Sequence, residues 1–184
     1  MKKQIILGID PGTIVLGYGI IEVEKQKITL LSMGVIHLSK YEDHLLKLKI
    51  IFEKIGGLIE NYHPEACAIE APFFGKNVQS MLKLGRAQGV AISSALTNKV
   101  EVFEYSPKKI KQSVTGNGNA SKEQVAAMLQ RLIGFKLQPK FLDATDGLAT
   151  ALCHHFQNTT SGNAAEKKVS GWKDFMKNNP KRVK

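Results

Sequence analysis

Long hydrophobic runs are missing from this sequence: no stretch approaches the ~18 consecutive apolar residues of a membrane-spanning helix. The opening MKKQIILGIDPG breaks into Asp10, Pro11 and Gly12 too early for a signal peptide, so a soluble, cytoplasmic protein with no membrane contact is expected. Cysteine is scarce. Cys67 and Cys153 lie far apart in apolar surroundings, with no second Cys or nearby His at ligand spacing, which argues against a disulfide framework or a zinc site and leaves both as packing residues. The five histidines show no metal-ligand spacing either, and His154 and His155 read as one buried and one exposed ring on a helix. The glycines match neither a Walker A loop nor a dinucleotide fingerprint.

Acid is also in deficit. Asp and Glu number 16 against 26 Lys and Arg, a net charge of +10 that suits a polyanionic partner. Its distribution sharpens the point. Residues 1–75 carry 8 bases and 9 acids, residues 76–122 carry 8 and 2, residues 123–160 carry 3 and 3, and residues 161–184 carry 7 and 2. The excess sits in a middle block and a tail, which favours nucleic acid over lysines spread evenly for solubility.

What is present is an α/β pattern with enough apolar residues, 43%, for one core. Residues 4–10 form an apolar run ended by Pro11-Gly12, and residues 17–23 and 27–38 are rich in β-branched side chains, predicting three strands in a meander. Leu45, Leu48, Ile51, Phe52, Ile55, Leu58 and Ile59 recur at helical spacing and predict a helix over 41–62, ended by His63-Pro64. Residues 66–71 predict a buried strand. A helix over 78–98 follows, whose face of Met81, Leu82, Gly85, Gly89, Ile92 and Leu96 suits core or a dimer contact. Then come a strand over 100–105 and helices over 107–115, 121–132 and 143–156, the second opened by a Ser121/Gln124 capping box. The order implies a mixed sheet flanked by helices. From residue 159 the sequence turns polar, so the expected division is a folded domain over 1–158 and a basic, disordered tail over 159–184.

Four carboxylates stand out: Asp10 after the first strand, Glu70 in the fourth, and Asp143 with Asp146 at the start of the last helix. Asp10 before Pro-Gly has an ordinary role as a turn residue, and Asp143 as an N-cap with Asp146 at N3. Glu70 is harder to explain that way, because a charge in a strand buried on both faces costs several kcal/mol unless it lies at the strand end or is paired. Strand ends and a helix start are where an α/β sheet builds a site. Acids converging there raise each other's pKa values, and divalent metal relieves the conflict. Oxygen-only donors suit Mg²⁺ or Mn²⁺, and a pair of ions in such a site hydrolyses phosphodiesters. Asp143 and Asp146, three apart, face one side of the helix, and Gly147 is expected to leave room for a ligand beside them.

Phosphate-gripping candidates flank these acids. Phe73, Phe74 and Lys76 follow Glu70 within a few residues, where a ring can stack on a base or wedge into an open step, although core packing is the ordinary role of either ring. Lys108, Lys109 and Lys111 share one expected helix. Lys122 at a helix N-terminus opposes the dipole, which makes sense if it and the helix amides hold a phosphate; a solvated lysine in a polar turn reads equally well.

The motifs GIDPGT at 8–13, GYG at 17–19, AIEAPFF at 68–74 with Lys76-Asn77, LGRAQGV at 84–90, FEY at 103–105, VTG at 114–116 and DATDGLA at 143–149 together resemble the RuvC family of Holliday junction resolvases. The resemblance runs in order from about residue 5 to about residue 154. It implies an RNase H-like fold with a five-stranded mixed sheet, and a homodimer that nicks four-way junction DNA symmetrically, in recombination and repair. It also implies Mg²⁺, two ions per site, held by Asp10, Glu70, Asp143 and Asp146, with Mn²⁺ as a substitute. Phe73 would work at the junction centre, Lys111 and Lys122 would contact DNA, and RuvA and RuvB would be the branch-migration partners. Ile14 stands where a basic residue is common, and the tail over 161–184 matches nothing in the pattern.

Two other classes fit parts of the sequence. Asp10-Pro11-Gly12-Thr13 also resembles the phosphate loop of the actin and sugar-kinase type, but that architecture needs a second such domain and a second acidic-glycine loop. A junction-binding module without catalysis would explain lysines and aromatics, yet would not need acids at all four places.

Overall fold

The structure is a computed structural model that describes residues 3–72, 77–135 and 142–163, with side chains through residue 158. Five strands form one sheet in the order β3-β2-β1-β4-β5. β1 (Gln4–Asp10), β2 (Val15–Glu24) and β3 (Lys27–His37) make the antiparallel meander, and β4 (Ala66–Glu70) and β5 (Glu101–Tyr105) join in parallel beyond β1. This is the mixed RNase H-like arrangement that the resemblance implies. The parallel part is reached through α1 (His44–Tyr62) and α2 (Val78–Thr97), because a parallel return needs a crossover. α3 (Pro107–Thr115), α4 (Lys122–Ile133) and α5 (Ala144–Asn163) follow.

Local chemistry sets the boundaries. The Asp43 carboxylate accepts from the Leu45 and Leu46 amides and opens α1 two to three residues later than its apolar period predicts. His63, left-handed at φ 49°, closes that helix before Pro64. The Ser121/Gln124 capping box is formed, with Ser121 outside the helix and Lys122 at its first position. α5 continues to Asn163, past Phe156, where the polar composition predicts its end; the remainder of the predicted tail lies outside the described residues.

The sheet separates two cores. Leu7, Ile9, Leu16, Ile20, Cys67 and Ile69 pack against Ile51, Ile55 and Ile59 of α1 and Ala87, Ala91 and Ala95 of α2. On the other face Ile6, Ile21 and Val23 meet Ile110, Val114, Val125 and Leu129 and the α5 residues Leu148, Ala151, Leu152 and Cys153. Burial on both faces explains why β1 and β4 read as continuous apolar runs. Both cysteines are free and buried, as their surroundings predict. His154 and His155 are both buried, so the expectation of one exposed ring is corrected: His154 is shut between Phe103, Tyr105 and Asn158, with the Tyr105 hydroxyl 2.8 Å from Nδ1 and the Asn158 amide 2.9 Å from Nε2.

α5 lies unusually close to the sheet. A Cβ on Gly19 would strike the Leu148 backbone, one on Gly8 the Gly147 carbonyl, and one on Gly147 would come within 2.5 Å of the Tyr18 Cα. Glycine on both sides lets helix and strand backbones touch. This overturns the expectation that Gly147 leaves ligand space: the position is filled by the β2 backbone, and its role is to seat α5.

Candidate active site

That seating carries Asp143 and Asp146 to the end of the sheet where β1 and β4 finish with Asp10 and Glu70. The burial cost foreseen for Glu70 is met by position: it is the last and only partly exposed residue of an otherwise buried strand. Asp10 borders three clefts. One is shared with Glu70, Leu84 and Gln88, the second with Thr13, Ile14, Lys122, Asp143 and Asp146, and the third with Glu70, Lys111, Lys122 and Asp146. All four sequence-selected acids, and both selected lysines among the described residues, therefore surround one locus. Ile14, 65% exposed, lies on its rim as an apolar side chain. Phe73, Phe74 and Lys76 lie outside the described residues.

The electrostatics are those of acids crowded together. Burial, then the charges of Asp146 and Asp143, push Asp10 up to about 7 against the opposing pull of Lys122. Burial, then Asp10 and Asp146, push Glu70 up to about 8 despite Lys111 and Lys122. Asp146 is raised by burial too, with its Lys122 hydrogen bond working the other way. The Lys122 ammonium donates to Asp143 Oδ1 and Asp146 Oδ2, each at 2.7 Å. Burial lowers the Lys122 pKa, but these two bonds outweigh it and raise the net value, so the side chain is a fixed cation at neutral pH.

Among the described residues, no three His, Cys, Asp or Glu side chains gather closely enough to enclose an ion. The donor set nonetheless suits a hard divalent cation. It is all carboxylate, partly buried and mutually repelling, and a cation already stands between two of its members in the form of the Lys122 ammonium.

Gln88 is a participant that the residue patterns did not single out. Only 7% exposed, it reaches from α2 with its amide donating at 2.7 Å to the Glu104 carboxylate on β5 and, at a long 3.5 Å, to the Glu70 carbonyl. It ties α2 to the strand end that presents Glu70. Its signal in the sequence is a long polar side chain on a helix face otherwise made of the small residues Ala87, Ala91, Ser94 and Ala95.

Comparison with known proteins agrees with this geometry. The family described as "Crossover junction endodeoxyribonuclease RuvC" matches residues 6–154. A protein of that name from Cytophaga hutchinsonii is 61% identical over 98% of this chain and 88% of its own length. Another from Bacteroides fragilis is 55% identical over 100% and 98%. Among solved structures, T. thermophilus RuvC in complex with Holliday junction substrate is similar at a TM-score of 0.79 and 33% identity, over 86% of this chain and 96% of that one.

Proposed function

Because this chain belongs to the crossover junction endodeoxyribonuclease RuvC family, we infer that its acidic cleft hydrolyses phosphodiester bonds in four-way DNA junctions, making it a Holliday junction resolvase of recombination and repair. The observation that carries the catalytic assignment is the convergence of Asp10, Glu70 and Asp146 with Lys111 and Lys122 on one cleft. In this reading Asp10, Glu70, Asp143 and Asp146 hold Mg²⁺, two ions per site, with Mn²⁺ able to replace it. The metal, when bound, supplies an activated water and neutralises charge on the scissile phosphate. The chain's own groups do the rest. The acids offer the oxygens, and Gln88 and the α5 seam fix where those oxygens point. Lys111 and Lys122 contribute positive charge on the phosphate side. Phe73 acts at the junction centre in this proposal, with Phe74 and Lys76 beside it on the DNA.

Residues 1–158 serve as the nuclease domain and the basic residues 159–184 as an added electrostatic grip. The enzyme works in the cytoplasm with RuvA and RuvB as branch-migration partners; among the described residues no helix is long and apolar enough to cross a membrane. It works as a homodimer, so that two sites cut symmetrically. The support for this is an apolar row on α2: Leu82 and Leu96 are 53% and 58% exposed, and among the described residues no other part of the chain comes within 4 Å of a Cβ placed on Gly85 or Gly89. Positions 82, 85, 89 and 96 follow the spacing of a helix-pairing seam.

Glu70→Gln and Asp146→Asn test the assignment. Each is expected to lower junction cutting by at least about a thousandfold, as loss of a group essential to the transition state does, while gel-shift affinity for the junction in Ca²⁺ stays within about threefold. Loss of binding or folding in step with cutting would make these acids structural.

A further inference from the structure

The acidic cleft holds a cation of its own, and its placement is not explained by the helix that bears it. Lys122 is the first residue of α4, where a positive side chain opposes the helix dipole, and the cap there is complete without it through Ser121 and Gln124. Its ammonium stands instead 2.7 Å from both Asp143, which directly precedes α5, and Asp146 in the first turn of α5. An ammonium spans its oxygens at that length, whereas Mg²⁺ draws oxygens in to roughly 2.0–2.1 Å. With Lys122 seated, the two carboxylates are held around a larger and singly charged ion, in keeping with the absence of a closed three-ligand group among the described residues.

We propose that Lys122 is an internal counter-ion that occupies the acidic cleft before divalent metal enters, and that metal loading expels its ammonium toward the DNA backbone. The proposal rests on the metal reading of the site. One side chain then couples two events. Metal entry must break two ion pairs, so Lys122 weakens metal binding in the free enzyme; a phosphate that engages the released ammonium removes that competition, and by reciprocity bound metal strengthens the grip on DNA. The free enzyme is thereby kept poorly loaded and fills its site on substrate.

Calorimetric titration of the intact, DNA-free protein with Mn²⁺ tests this without reference to activity. Lys122→Met is expected to bind Mn²⁺ at least about tenfold more tightly than the unsubstituted chain. Lys111→Met removes the same charge from the same cleft without touching Asp143 or Asp146, and is expected to change affinity by no more than about threefold. A second measurement needs no substitution: acetylation of Lys122, followed by mass spectrometry, is expected to accelerate when Mn²⁺ is added. Equal effects of the two substitutions, or a Lys122 equally protected with and without Mn²⁺, would overturn the counter-ion role while leaving the metal site standing. Failure of every variant and of the parent to bind Mn²⁺ would bring down the metal reading and this inference with it.

Discussion

Asp10 and Glu70 are two carboxyls whose proton affinities are raised, by burial first and by their neighbours second, to about 7 and about 8. In the unfolded chain they titrate near 3.8 and 4.5. Between those limits the folded chain binds more protons than the unfolded one, so metal-free stability is expected to fall as pH rises from about 4 through 8. Asp10→Asn removes one of the two groups. In EDTA at pH 8 it is expected to melt roughly 4–8 °C above the parent, corresponding to about 2 kcal/mol, half the full worth of the shift because the neighbouring acids and Lys122 readjust. At pH 5 the gap should narrow to less than half and below about pH 4 it should close, and a gap independent of pH in paired melting curves would contradict the crowded-acid account. The acids were legible in the sequence because each occupies a place where a charge is out of keeping: the end of an apolar run, or the N-terminal turn of a helix. Gln88 and the true role of Gly147 were not. A long polar side chain among small residues and a glycine after an aspartate acquire meaning only once α2 and α5 are laid against the sheet.

At the scale of elements, the site depends on how deeply α5 sits on β1 and β2. Gly8, Gly17 and Gly19 face Gly147 and Leu148 across that seam, and a Cβ at Gly147 meets main chain of Gly17 and Tyr18 that cannot rotate away. Gly147→Ala is therefore expected to cost about 3 kcal/mol, at the upper end of ordinary overpacking, and to displace Asp143 and Asp146 from Asp10. The same change at Gly57, where among the described residues no other part of the chain stands within 4 Å of the added Cβ, is expected to stabilise α1 by up to about 1 kcal/mol. Chemical denaturation of the two variants separates the cases; equal effects would mean that the seam is slack. Element order and type could be read from periodicity, since apolar runs and 3.6-residue spacing are imposed by burial. The exact ends could not, because they are fixed by caps such as Asp43 and not by apolar period, and α5 runs on to Asn163 through a polar stretch. The depth of the α5 seam was invisible for the same reason: the glycines that create it come from separate segments of chain.

For the whole molecule, the proposed homodimer would let a positively charged chain place two cutting sites on one junction. Leu82→Lys puts a charge on the exposed α2 row without disturbing either core, and is expected to weaken the dimer by about 2 kcal/mol or more while leaving the melting of the protomer within about 0.5 kcal/mol. Sedimentation velocity reads the first effect; an unchanged sedimentation coefficient would move the dimer contact elsewhere. Overall charge and its clustering pointed to a polyanion from composition alone, whereas a four-way junction as the particular partner entered through resemblance, because no count of lysines distinguishes a junction from a duplex. The most direct test of the central claim is a cleavage assay on a synthetic mobile four-way junction with Mg²⁺, beside a linear duplex of the same sequence and an EDTA control. The account predicts paired, symmetric nicks in the junction alone, abolished by EDTA. Tight junction binding with no cutting in either Mg²⁺ or Mn²⁺, or equal cutting of the duplex, would contradict it.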